Sequence, residues 1–159
     1  MAFDLAVHLR AKHKIVGIPS TEQIIGILTA EGAIYDGEWP FRGELYGVRL
    51  GRHVAVRAGL PEPVMRGDLL HELAHYLLET GNQLRLSIDG HVRARQQERR
   101  ADHVAGWILF GDDVLSAPLL TVEDLAELGN VTTAFVRRWW EIAEWEIRGR
   151  ASWQPNAPG

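Results

Sequence analysis

His71-Glu72-Leu73-Ala74-His75 is the stretch from which the rest of the chain is best read. On an α-helix, residues four apart stand about 6 Å apart along the axis and about 40° apart around it, so both imidazoles reach one metal ion. Glu72, one position on from His71, points into a neighbouring sector, where it can act as general base toward a water instead of serving as a ligand. The bland alternative is a pair of partly exposed helix histidines with ordinary hydrogen bonds. A third ligand elsewhere in the chain separates the two.

The flanking residues predict the helix that the pentapeptide needs. Pro61-Glu62-Pro63 stops what precedes, and Leu69, Leu70, Leu73, Ala74, Leu77 and Leu78 supply apolar faces over a helix from about Glu62 to Glu79. A further helix is predicted from near Val92 to Phe110, with Gly111 as its C-terminal signal. That helix carries Glu98 and Asp102 four residues apart, on one face. A hydrolytic zinc site takes three protein ligands and leaves one position for water, and Glu98 supplies the third. A ligating histidine also needs an acceptor on its other ring nitrogen, which Asp102 is placed to provide for His71 or His75. Alone, Glu98 and Asp102 would be solvated acids pairing with Arg95, Arg99 or Arg100. Beside the histidine helix they complete a site of two histidines and one glutamate, with Asp102 in support.

Working outward, the chain alternates helices with one β-prone region. Phe3 to His13 forms a short opening helix, broken at Val16-Gly17-Ile18-Pro19; Ser20-Thr21-Glu22-Gln23 is a capping box for a second helix to about Glu31, ended by Gly32. Between Ala33 and Gly59 lie three β-prone runs, 33–35, 45–50 and 53–57. They predict a small three-stranded, antiparallel-rich sheet whose last two strands form a hairpin around Gly51. The strand His53 to Arg57 either offers a free edge to an extended peptide or pairs only with the strand before it. Gly81 to Val92, with Leu84, Leu86 and Ile88, reads as an irregular connection. Thr121 opens a short helix closed by Gly129, and Thr132 or Thr133 opens a last helix to about Ile147. The fold class is α+β: a single domain over 1–147, with a core at about 20–110, a C-terminal helical extension at about 119–147, and a flexible tail from 148 to 159.

Composition bounds the chemistry. At 159 residues, 46% hydrophobic and 24% charged, the chain has the makeup of one soluble globular domain. A net charge of -4 gives no global attraction to nucleic acid or an anionic membrane. The absence of cysteine excludes disulfides, thiolate ligands and a cysteine nucleophile, so any metal is held by imidazole and carboxylate. No basic leader with a sustained apolar stretch begins the chain, and a cytoplasmic protein is expected.

Residues 120–132 have a helix-turn-helix rhythm, and Arg137 and Arg138 follow on the second helix, so a DNA-binding module is a rival. Against it, that helix carries Phe135, Trp139, Trp140, Ile142, Ala143, Trp145 and Ile147, while Glu141, Glu144 and Glu146 repel phosphates. These helices are expected to pack on the catalytic core or dock a protein partner. A third possibility is a regulator that sequesters a repressor without cutting it; Glu72 weighs against it, since a purely structural site has no use for that carboxylate.

The pattern His71-Glu72-Leu73-Ala74-His75-Tyr76-Leu77-Leu78, then Glu98, Ala101, Asp102, Ala105, Ile108 and Leu109, resembles the ImmA/IrrE family of metallopeptidases, within the thermolysin-like gluzincins. The resemblance covers roughly Ser20 to Phe110. It implies a zincin-like fold with His71, His75 and Glu98 as metal ligands, Glu72 as catalytic acid and base, and Asp102 supporting a ligand from behind. It also implies a protein substrate, a helix-turn-helix transcriptional repressor whose cleavage induces stress-response or mobile-element genes. Zn2+ is favoured by two imidazoles and a carboxylate, although Mn2+ or Fe2+ accept the same donors. The chain departs from the family pattern at Phe110-Gly111-Asp112-Asp113, where a Met-Pro commonly follows the helix. Tyr46, Tyr76, His91, His103 and Arg95 are conceivable oxyanion donors, and the sequence selects none.

Overall fold

The computed structural model describes residues 2–41, 46–80, 90–112, 114 and 120–152. Six helices and three strands follow in the order α1 (Ala2–Lys12), α2 (Thr21–Ala30), β1 (Ile34–Trp39), β2 (Gly47–Leu50), β3 (His53–Arg57), α3 (Glu62–Thr80), α4 (Gly90–Phe110), α5 (Val122–Gly129) and α6 (Thr133–Ser152). Of the connection predicted from Gly81 to Val92, residues 81–89 lie outside the described residues, as does the end of the tail at 153–159, while α4 already starts at Gly90, two residues before the predicted start. The last helix runs to Ser152, beyond the end predicted near Ile147.

Local signals account for most boundaries. Ser20 caps α2 as expected: its hydroxyl accepts from the Gln23 amide at 3.2 Å while the Gln23 side chain accepts from the Ser20 amide at 2.8 Å. Thr121 and Asp124 repeat that box at α5, and the Thr132 hydroxyl accepts from the Phe135 amide at the start of α6. One boundary has a different cause from the one predicted. Asn130, not Gly129, takes the left-handed conformation after α5, at φ 48°. Gly129 is small for packing, since a Cβ there would come within 2.9 Å of Leu109 Cδ2 and 3.1 Å of the Phe110 ring.

The sheet corrects the prediction twice. Its order is β1-β3-β2, with β1 parallel to β3 and β2 antiparallel to β3, so it is mixed and not antiparallel-rich. The hairpin around Gly51 is present, pairing Gly47 with Val56 and Leu50 with His53. The chain from β1 crosses to the far edge before returning, which leaves β3 in the centre with both sides paired. β3 therefore offers no free edge to a peptide. Val54 and Val56 are fully buried, as befits a central strand.

A single apolar cluster takes residues from every helix and from β3. At its centre α3 contributes Leu69, Leu70, Leu73 and Ala74, and α4 contributes Ala101, Val104, Ala105, Trp107, Ile108 and Leu109, all fully buried. α5 and α6 pack against this body through Leu125, Phe135, Val136, Trp139 and Ala143. Two buried arginines tie helix ends together. Arg10 donates to the carbonyls of Ile108 and Gly17, and Arg66 donates to those of Gly129 and Pro19. Each guanidinium satisfies carbonyls that the helix and loop ends leave unpaired.

Candidate metal centre

α3 and α4 lie alongside one another, and the polar residues of their facing sides meet at one point. His71 and His75 stack edge to face, one turn apart, with ring centroids 4.6 Å apart. Their Nε2 atoms are separated by 3.0 Å. Glu98 on α4 closes the triangle, with one oxygen 3.0 Å from His71 Nε2 and the other 3.2 Å from His75 Nε2. Asp102, one turn further along α4, accepts from His71 Nδ1 at 3.0 Å. The sequence left open which histidine Asp102 supports; it is His71.

The protonation this implies makes the donor set informative. A carboxylate accepts, so His71 Nδ1 donates to Asp102, and in the neutral form that metal binding requires the ring presents a lone pair at Nε2. That lone pair faces a second imidazole nitrogen and a carboxylate oxygen, so three acceptors converge on one point. Acceptors that converge in this way can hold a cation. With donors at about 2.0–2.1 Å around a tetrahedral ion, their mutual separations come to about 3.3 Å, close to the spacing seen. The three ligand atoms lie within 4.8 Å of one another, the one such group among the described residues. The side chains fit a small divalent cation.

Charge in the site is balanced by opposing effects. Burial works against a charged His71 ring, but the hydrogen bond and charge of Asp102, with Glu98 and Glu72, outweigh it and push its pKa up. Burial pushes the Glu72 carboxyl up as well, against the pull of His71, His75 and Arg49. For Asp102 burial acts upward too, yet the hydrogen bond from His71 and the charge of Arg138 hold it below the ordinary carboxylate range. A glutamate with a raised pKa beside a cation site can take a proton from water and return it.

Around Glu72 the structure places residues that the sequence did not single out. Gly47, first residue of β2, stands so close that a Cβ there would lie 3.4 Å from Glu72 Cγ and Oε1. Arg49, two residues on, pairs with Glu79 and ties β2 to the end of α3. Asp68, one turn before Glu72, has a buried oxygen with no hydrogen-bond partner. β2 and its neighbours carry no motif, which is why only the fold finds them.

The oxyanion candidates separate. Tyr76 donates to the Glu31 carbonyl at 3.2 Å and is buried, so it is a packing residue. His103 faces α6, where its Nε2 meets the Trp107 indole N–H at 3.1 Å and Glu146 at 3.3 Å, and burial lowers its pKa despite Glu146. Tyr46 precedes Gly47 and carries the Arg57 guanidinium 4.5 Å above its ring. Arg95 is exposed, and the side chain of His91 lies outside the described residues. Of the two arginines in the helix-turn-helix rival, Arg137 is exposed and lies 3.5 Å from Glu123, and Arg138 reaches Asp102.

Comparison with known proteins agrees with this geometry. The model of a peptidase family, described as the IrrE N-terminal-like domain, matches residues 38–140, which takes in the end of β1, strands β2 and β3, helices α3 to α5 and the start of α6. No curated protein and no solved structure matches the chain.

Proposed function

The chain belongs to the IrrE N-terminal-like peptidase family, and on that premise we propose that it is a zinc-dependent endopeptidase whose substrate is a helix-turn-helix transcriptional repressor. The observation that carries the proposal is the convergence of His71, His75 and Glu98 within 4.8 Å, with Glu72 beside them. The repressor as substrate, and the induction of stress-response or mobile-element genes, rest on the family resemblance.

His71, His75 and Glu98 would hold Zn2+, which would supply a Lewis acid to acidify water and polarise a carbonyl. The chain's own residues do the rest. Glu72 takes the proton of the attacking water and delivers it to the leaving amine, a task suited to a carboxyl raised by burial. Asp102 keeps the His71 ring turned with Nε2 toward His75 and Glu98. For holding an extended peptide, the candidate edge passes from β3 to β2, whose one partner among the described residues is β3. β2 begins at Gly47, against Glu72, so a peptide added to that edge runs past the general base. No helix among the described residues is long and apolar enough to cross a membrane, and a cytoplasmic site of action is part of the proposal.

The test is Glu72→Gln in the zinc-loaded protein, assayed against the candidate repressor. Zinc content should be unchanged while cleavage falls by roughly 10²- to 10⁴-fold. A Glu72→Gln protein that inactivates its partner as well as the native one would favour sequestration and end the peptidase proposal.

A further inference from the structure

Asp102 has a second partner, and it comes from the last helix. Arg138 on α6 sets its Nε 3.3 Å from each Asp102 oxygen, while Oδ1 also accepts from His71 at 3.0 Å. The approach follows from packing one residue away. Trp139 is fully buried, and its indole occupies the space where Gly106 lacks a side chain: a Cβ on Gly106 would fall 2.1 Å from Trp139 Cδ1. The same indole stands edge-on to Trp107 at 5.4 Å. Gly106 is one turn beyond Asp102 on α4, so the seat of Trp139 and the carboxylate share one helix face. Seating the indole therefore fixes α6 in rotation and register, and the neighbouring guanidinium lands on Asp102.

The exposure of the pair decides what it is for. The Asp102 side chain is 10% exposed and that of Arg138 52%. An arginine so accessible to water adds little to global stability through one ion pair. Its effect is on the orientation of Asp102. With a single donor the carboxylate can turn about its own bond; with donors on two sides its plane is held, and with it the line of the His71 Nδ1–H bond.

We propose that Arg138 is a positioning residue for metal binding: by bridging Asp102 it holds His71 with Nε2 aimed at the cation. The inference rests on the metal site described above. It also gives the C-terminal helix a part in the catalytic centre, since a side chain of α6 stands two steps from the ion.

The test uses the full chain with Arg138→Gln and Arg138→Lys, and Arg137→Gln as a neighbour of equal charge change. Zn2+ affinity is measured by chelator competition, and the proton on each His71 ring nitrogen by NMR of the apoprotein. Arg138→Gln should weaken zinc binding about 3- to 10-fold, at or below the lower end of the range for groups that contact a ligand directly. Arg138→Lys should recover part of the loss, Arg137→Gln should bind as the native protein does, and the Nδ1-protonated fraction of His71 should fall in Arg138→Gln. Because the effect passes through Asp102, Arg138→Gln should add nothing in an Asp102→Asn background. Native affinity in Arg138→Gln overturns the inference and leaves the peptidase proposal standing, as does a full additional loss in the Asp102→Asn background. If the native protein binds no zinc, both fall together.

Discussion

Asp68 sits one turn before Glu72 on α3 with its Oδ2 buried and unpartnered. Burial pushes its carboxyl from 3.8 up to about 6, against the pull of His71, Arg138 and Arg57. The native protein thus keeps, between those two values, a proton that the unfolded chain has released. The stability this gives is complete below the unfolded value and is lost as pH rises through about 6. Two pKa units at about 1.4 kcal/mol each set a ceiling of about 3 kcal/mol. Since the side chain keeps part of its contact with water, screening leaves roughly half, ~1.5 kcal/mol. Asp68→Asn removes the charge at nearly constant shape. Urea unfolding of the metal-free proteins should give equal stabilities near pH 4, and a variant more stable by ~1.5 kcal/mol near pH 8. A bound divalent cation favours the carboxylate, so zinc loading should shrink the difference. A gap that stays constant from pH 4 to pH 8 would refute the argument, as would a variant less stable than the native protein at pH 8.

Two further outcomes follow from the packing and the site. Gly106→Ala places a methyl within 2.1 Å of both Trp139 Cδ1 and Cγ, in a region with no flexible side-chain tip to yield; it should destabilise the protein by about 1–3 kcal/mol in thermal or urea unfolding. An unchanged Tm would mean that α6 is not seated on that glycine. Zn2+ added to chelator-treated protein at about 100 times its Kd should raise the unfolding free energy by about 2.7 kcal/mol, and the gain should be lost in His75→Ala. A Tm indifferent to zinc in the native protein would show that the three donors do not converge on a cation in the folded state.

The candidate cation group was legible because a metal site demands few residue types at helical spacing. His71, His75 and Glu98 meet as the spacing requires, with Asp102 behind His71. Caps were equally legible, since Ser20 and Thr121 act on amides three residues away. What escaped depends on long-range pairing. The strands of the sheet are short and half-buried, and nothing local tells β3 that β1 lies on its other side. Arg138 escaped for a related reason. On the sequence it is one of two adjacent arginines in an aromatic helix, and only the seating of Trp139 against Gly106 determines that it turns toward Asp102 while Arg137 faces Glu123.

Glu98, the proposed third ligand, stands on an exposed part of its helix. Residues 95–100 of α4 are exposed and residues 101–110 are buried, so Glu98 stands on an exposed stretch just ahead of the part that the core holds. A cation joining Glu98 to α3 is therefore a crosslink across a region whose own packing contributes little. The affinity for such a cation would then contain the free energy of holding residues 95–100 in place, beside its effect on global unfolding. Ion uptake would in this sense be a small folding event, holding Glu98 against the two imidazoles.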